Sequence, residues 1–254
     1  MIRSGGTEFT VKLAQTPQEL RAAQRLRYDV FVRELGGTGD MVDHVQQLER
    51  DRFDPFFDHL ILTEKGCEDV IGVYRLLRGC RAKEAGGFYS AAEYDLAPLM
   101  ATGRRVLELG RSCVHPDYRG GTAVHALWGG LAEYVAAHRI DLLFGVASFR
   151  GTDLAPLAAP LSLLHARFLA PENLRVRARN GVFQRMDLIA PQDLDHRAAM
   201  VQMPSLIKAY LRLGGRVGEG AFVDHRFNTT DVCLIMDTAR MTATQARRFG
   251  RPAA

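Results

Sequence analysis

A single α+β or α/β domain is the fold class this sequence predicts, and three observations carry it. Helix and strand patterns interleave along the whole chain, with no repeat or low-complexity linker to divide it. With 254 residues and 47% hydrophobic content there is ample material for one large core. Charged residues make up 24%, which fits neither a disordered nor a membrane-embedded class. The expected organisation is one domain over 1–254, with a short flexible tail from about 241.

The elements follow in order. Residues 8–14 alternate polar and apolar, as a half-buried strand does. Thr16-Pro17-Gln18-Glu19 then supplies an N-cap, a proline at the first helical position and a capping-box acid. The helix that follows carries Leu20, Ala23, Leu26, Val30 and Phe31 on its apolar stripe and stops at Gly36-Gly37. Residues 36–57 read as a polar, acid-rich loop with a short helical turn. Strands at 59–63 and 70–77 form a hairpin. Ser90-Ala91-Ala92-Glu93 reads as a second capping box that opens a short helix before Gly103. A buried strand at 105–114, a helix at 123–138 and a strand at 140–147 come next. Residues 153–169 are apolar and proline-interrupted, helical in pieces. Strands at 174–179 and 183–188 meet at Asn180-Gly181, a hairpin turn signal. A helix at 204–213 ends at Gly214-Gly215, and strands at 216–223 and 231–237 close the chain.

Several classes are set aside by composition and motif. The longest nearly apolar stretch, 142–149, is far short of a membrane span, and residues 1–6 lack a signal-peptide core. Cys67, Cys80, Cys113 and Cys233 are scattered without a C-x-x-C pair, so a reduced, cytoplasmic compartment is the simplest expectation. The formal charge of +4 does not announce nucleic-acid binding; it permits docking to an acidic protein or an anionic membrane surface. No G-x-S-x-G elbow, H-E-x-x-H helix or Walker loop is present, and no metal site is expected.

The chemistry concentrates in the run from Glu108 to Gly120, where a buried strand carrying an acid and an arginine ends in a glycine turn before a helix. A carboxylate in an apolar strand is costly unless paired or used. Glu108 and Arg111 lie three apart, on opposite faces of a regular strand, so a shared site needs a bulge, for which Gly110 is suited. Glu108 could then take a proton from an ammonium nucleophile through water; a structural ion pair between the two residues would look the same in sequence. The turn at 118–123 could offer backbone donors to an anion, or be an ordinary loop. Asp51, Asp54, Asp58 and His59 form an acidic cluster suited to an ammonium group, though a solvated loop or metal site reads alike. Arg175, Arg177 and Arg179 alternate along a strand pattern and, with Arg185 across the turn, could form a basic patch for an acidic partner or a solvated face. Leu157, Leu161, Leu164, Phe168 and Leu169 make a helical stripe that fits core or an acyl pocket equally.

With these residues in view, the sequence resembles the GNAT-like acyltransferases that include acyl-homoserine-lactone synthases and bacterial ornithine lipid N-acyltransferases, and it is closer to the latter. The resemblance spans nearly the whole chain. It rests on Arg27-Tyr28-Asp29-Val30-Phe31, Asp54-Pro55-Phe56-Phe57-Asp58-His59-Leu60, Tyr74-Arg75-Leu76-Leu77 and the run from Glu108 through Arg119. Leu143-Phe144-Gly145, Ala147-Ser148-Phe149, Pro204-Ser205-Leu206 and Tyr210-Leu211-Arg212-Leu213-Gly214 extend it. It implies a GNAT-like fold with a mixed central sheet flanked by helices. It also implies Glu108 and Arg111 as catalytic groups, with Arg27, Phe31, Asp51, Asp54 and Arg75 positioning substrate and the backbone of Ser112, Cys113 and Val114 facing the oxyanion.

The chain departs from the synthases in having Gly36-Gly37-Thr38-Gly39 where they carry a tryptophan, which argues against an S-adenosylmethionine site. Thr122 and Val124 replace the later glycines of the coenzyme A turn, which suits acyl carrier protein as donor. The implied reaction transfers a 3-hydroxy-fatty acyl group from the carrier protein's phosphopantetheine thioester to the α-amino group of ornithine, with no other cofactor. Arg175, Arg177, Arg179 and Arg185 would meet the carrier protein. A cytoplasmic enzyme with room for peripheral contact at the inner membrane is implied. The alternatives are a synthase acting on another amine and a non-catalytic carrier- or lipid-binding module.

Overall fold

The computed structural model describes residues 8–119, 121–242 and 244–245. Gly120, which ends the motif run, residues 1–6 and most of the expected tail lie outside the described residues. The chain forms two compact units, 1–76 with 110–138 and 77–109 with 139–254.

In the first unit, β1 (Phe9–Leu13) pairs antiparallel with β2 (Asp58–Glu64), which pairs antiparallel with β3 (Val70–Arg78). The strand β5 (Val106–Val114) lies next to β3, and its end is tied in where His115 N–H donates to Ile71 C=O at 2.8 Å. Helix α1 (Pro17–Arg27) begins as the sequence predicts. Thr16 accepts from Glu19 N–H, and the Glu19 side chain answers the N-cap backbone, a complete capping box. Ala23, Leu26 and Val30 bury with Ile61, Val73 and Cys113 on one face of the strands. The other face takes α4 (Thr122–Ala137), where a Cβ on Gly130 would come within 2.3 Å of Val11 Cγ1. A larger residue there would have to displace the Val11 side chain or the helix.

One feature of this unit escapes sequence reading. The helix runs on past Arg27 as a π-helix, Tyr28–Glu34, with Leu35 N–H reaching back five residues to Val30 C=O. Widened turns of this kind recur at functional sites.

In the second unit, β6 (Leu142–Arg150) pairs along its whole length with β11 (Thr229–Asp237). The start of β5, Val106 to Glu108, runs parallel to Leu142 to Phe144. Strands β8 (Phe183–Gln184), β9 (Arg216–Val217) and β10 (Ala221–Asp224) complete that side, with β10 and β9 on β11 and β8 on β10. A Cβ on Gly145 would fall 2.2 Å from Leu109 C=O, so this position on β6 requires glycine. Helices α2 (Gly79–Glu84), α3 (Ala97–Met100), α5 (Ala158–Phe168), α6 (His196–Gln202) and α7 (Ser205–Arg212) accompany these strands. Leu161 and Leu164 are fully buried in α5, as a core stripe is.

Three local expectations are corrected. Asn180-Gly181 does not join a hairpin: the short β7 (Arg177–Ala178) pairs with β4 (Tyr94–Asp95), while β8 pairs with β10. Arg175, Arg177 and Arg179 therefore do not line a hairpin face. Ser90 is no N-cap; it sits inside a short 3-10 helix, Tyr89–Ala92, and its hydroxyl is drawn to Glu108. The strand expected at 216–223 divides into β9 and β10, because Gly218 and Gly220 lie within close-approach distance of Val176 and Phe183 and turn the chain between them. No helix among the described residues is long and apolar enough to cross a membrane.

Candidate active site

Arg27, at the end of α1, is fully buried. Its capping-box start and apolar stripe fix the helix rotation, which turns Gln24 and Arg27, one helical turn apart, toward the loop before β2. Arg27 Nε and Nη2 both lie 2.5 Å from Glu49 Oε2, and Nη1 lies 2.7 Å from Asp54 Oδ1. Arg75, fully buried in the middle of β3, places Nη1 2.8 Å from Asp51 Oδ2 and 2.7 Å from Asp54 Oδ1. Gln24 Nε2 donates to the other Asp54 oxygen at 2.9 Å. Arg111 closes the set, its Nε 3.1 Å from Glu49 Oε1 and its Nη2 3.7 Å from Asp51 Oδ2. Aromatic faces support two of the guanidiniums: Phe57 lies 4.3 Å from Arg75 and Phe31 5.8 Å from Arg111.

Arg27, Phe31, Asp51, Asp54, Arg75 and Arg111 are thus brought into one network. Asp54 is buried and committed to Arg27, Arg75 and Gln24, so it acts as framework. Asp51 is the acid with solvent reach, its side chain 20% exposed. Burial opposes the charge of Asp54, yet Arg27 and Arg75 outweigh it and hold the carboxyl well below the usual range. Glu49 follows the same logic: burial raises its pKa, but Arg111, Arg27 and Arg75 hold it down at about 2. His59, cross-strand from Arg75, is lowered to about 4 chiefly by burial; its Nε2 meets Asp54 C=O at 3.1 Å, and its Nδ1 has no partner among the described residues.

Glu49 was not singled out in sequence. The only signal was its alternation with Asp51 in Glu49-Arg50-Asp51, which a search for paired aspartates passes over.

Glu108 is buried in β5 within the second unit. Its Oε2 accepts from Tyr89 N–H at 2.8 Å, and its Oε1 from Ser90 N–H at 2.7 Å and Ser90 Oγ–H at 2.5 Å. These donors open the 3-10 helix, so the carboxylate caps it. The expected departure from a regular strand is present, but at Arg111 (φ +47°) rather than Gly110. A non-glycine residue in that backbone region is strained and recurs at functional positions. Ser112 and Val114 are half-buried on β5. The Cys113 thiol packs in the core cluster, where burial raises it to about 12, so its side chain is structural.

The arginines proposed for docking are each engaged locally. Arg175 Nε donates to Ala170 C=O, Arg179 Nε to Ala91 C=O, and Arg185 pairs with Asp187. Arg177 meets Glu219 and Asn180 and lies 4.2 Å from the Phe183 ring. Arg177, Arg179 and Arg185 are exposed, and Arg175 is half-buried. No group of metal-ligating side chains occurs among the described residues.

Comparison with known proteins identifies the fold and the family. The family model for the acetyltransferase (GNAT) domain matches residues 26–129. The N-acyl amino acid synthase FeeM from uncultured soil microbes superposes with a TM-score of 0.54 at 12% identity, covering 92% of this chain and 93% of that one. The acyl-homoserine-lactone synthase LasI does so with a TM-score of 0.50 at 16% identity, covering 98% of each. Those likenesses show the fold. A protein of Rhodobacter capsulatus named L-ornithine N(alpha)-acyltransferase is 62% identical over 96% of this chain and 95% of its own length. At that identity over nearly the whole of both chains, the chain belongs to the L-ornithine N(alpha)-acyltransferase family, acyltransferases on the GNAT fold.

Proposed function

We propose that this enzyme transfers a 3-hydroxy-fatty acyl group from acyl carrier protein to the α-amino group of ornithine, forming lyso-ornithine lipid. The observation that carries the reading is the 62% identity to a protein of that name across nearly the full length of both chains. The ornithine amine attacks the thioester carbonyl, the new C–N bond forms, and the tetrahedral intermediate collapses with loss of the phosphopantetheine thiol. A thioester is already activated, so the protein's work is alignment, a neutral amine and a stabilised oxyanion.

Glu108 accepts the ammonium proton, through water. Arg111 holds the acceptor's carboxylate, and Asp51 holds its cationic end. Asp51 and Arg111 suit a zwitterion because they face each other at 3.7 Å, so an incoming carboxylate and ammonium can exchange for the internal partners. Backbone N–H groups of Ser112 to Val114 face the oxyanion. Arg175, Arg177, Arg179 and Arg185 supply the charge that meets an acidic carrier protein, and no cofactor is needed beyond the carrier's own arm.

The test is acyl transfer by the purified protein from 3-hydroxyacyl carrier protein, with ornithine, lysine, glycine, tyrosine and S-adenosylmethionine offered side by side. Ornithine should be acylated fastest. Preference for another acceptor moves the enzyme to that substrate, and no product with any acceptor leaves a binding module. Glu108→Gln should lower kcat by about 100-fold or more, the contribution typical of general-base catalysis, with the folded spectrum retained. Unchanged turnover removes Glu108 from the chemistry.

A further inference from the structure

Glu49 is 1% exposed and cannot touch a substrate, yet its two oxygens divide between two arginines of different standing. One oxygen is gripped by Arg27, itself fully enclosed; the other meets Arg111 Nε at 3.1 Å. The Glu49 main chain is pinned as well, its N–H donating to Gln24 C=O at 3.1 Å. The acid is therefore held from behind and has one direction left in which to act.

Arg111 needs holding. Its backbone lies in the left-handed region at φ +47° inside a strand, a conformation non-glycine residues avoid. Its long side chain also meets the Phe31 ring and, at a greater distance, Asp51. By taking the Nε edge, Glu49 leaves the Nη2 side directed at Asp51, where the acceptor exchange takes place.

We propose that Glu49 is a positioning residue, which clamps Arg111 edge-on against Arg27 so that the strained arginine presents its Nη groups to the acceptor's carboxylate. This deepens the reading that Arg111 meets the acceptor and rests on it. Because Glu49 is held near 2, the clamp is charged across any working pH.

A double-mutant cycle tests it. Glu49→Gln should raise KM for ornithine about tenfold and leave KM for the acyl donor within about twofold, while adding less than about twofold to the loss in an Arg111→Ala background. Equal losses in both backgrounds, or equal rises in both KM values, would make Glu49 a fold residue and overturn the proposal. If Glu49→Gln does not fold, Glu49→Asp keeps the charge on a shorter arm and must show the same dependence on Arg111. A readout without substrate separates this from the acceptor assignment. The Arg111 Nε–H resonance, identified by its loss in Arg111→Ala, should shift and exchange faster in Glu49→Gln. An unmoved resonance sinks the clamp whether or not ornithine is the acceptor.

Discussion

Two sets of carboxylates in this molecule meet partners of different chemistry. Glu49, Asp51 and Asp54 meet the guanidiniums of Arg27, Arg75 and Arg111. Glu108 takes its hydrogen bonds from Tyr89 N–H, Ser90 N–H and the Ser90 hydroxyl. Arginine partners cancel charge, and at Glu49 and Asp54 they outweigh burial and hold the carboxyl ionised, which suits a framework. At Glu108 two backbone N–H groups and a hydroxyl fix the orientation of the carboxylate. Under the proposed mechanism the first set is framework and Glu108 is the group that takes the proton.

The sharpest way to break the comparison is to remove the shared cation. Arg27→Met should destabilise the protein by about 3–5 kcal/mol, because Glu49 and Asp54 each lose a buried guanidinium and the network keeps three carboxylates for two arginines. Urea unfolding measures it, and a loss below about 1 kcal/mol would show that Arg75 and Arg111 suffice.

Acid should act on the charged network in a defined window. The folded pKa of His59 is lowered from 6.5 to about 4, so the unfolded chain binds its proton first and stability falls as pH drops through that interval. The loss is roughly 3 kcal/mol, from 1.36 kcal/mol per pH unit. Glu49, lowered from 4.5 to about 2, adds a further fall below pH 4.5. Melting temperature against pH should begin to drop near 6.5, and His59→Gln should flatten the upper part of the curve.

On the neutral side, Ser90→Ala removes one hydrogen bond to a charged group and should cost about 1.5–3 kcal/mol, less than the loss of Arg27. An unchanged melting temperature would assign the whole hold on Glu108 to the backbone. The smallest effect is expected at the surface. Replacing Arg175, Arg177 and Arg179 by alanine should raise KM for carrier protein a few-fold and weaken its salt dependence, with stability nearly unchanged. An unaltered KM assigns those arginines to their local partners alone.

What could be read from sequence was what is local or periodic. The capping box at Thr16 to Glu19 is complete within four residues, and it forms as written. Alternation placed β1, and apolar runs bounded by turn residues placed β2, β3 and β11, to within a residue or two. The Arg27, Asp51, Asp54, Arg75 and Arg111 set was legible through family motifs and proves to be one network. Glu49 was not, because its meaning lies in partners 22 and 62 positions away. Ser90 was misread for the same reason: a capping-box pattern was outcompeted by a carboxylate 18 residues downstream. Asn180-Gly181 marks a turn correctly but carries no information about which strands its flanks will join.

The π-helix at Tyr28–Glu34 makes the chain sensitive to length in a place where sequence looks permissive. Such a segment is an α-helix with a residue to spare, since each hydrogen bond spans five positions instead of four. Deleting one residue there would let the helix tighten into ordinary α geometry at 3.6 residues per turn, which turns the side chains inside the stretch itself while the chain after it keeps its register. Phe31 would swing from beneath Arg111 with no side chain changed. Across related chains, tolerance of insertions and deletions should therefore fall abruptly at this stretch.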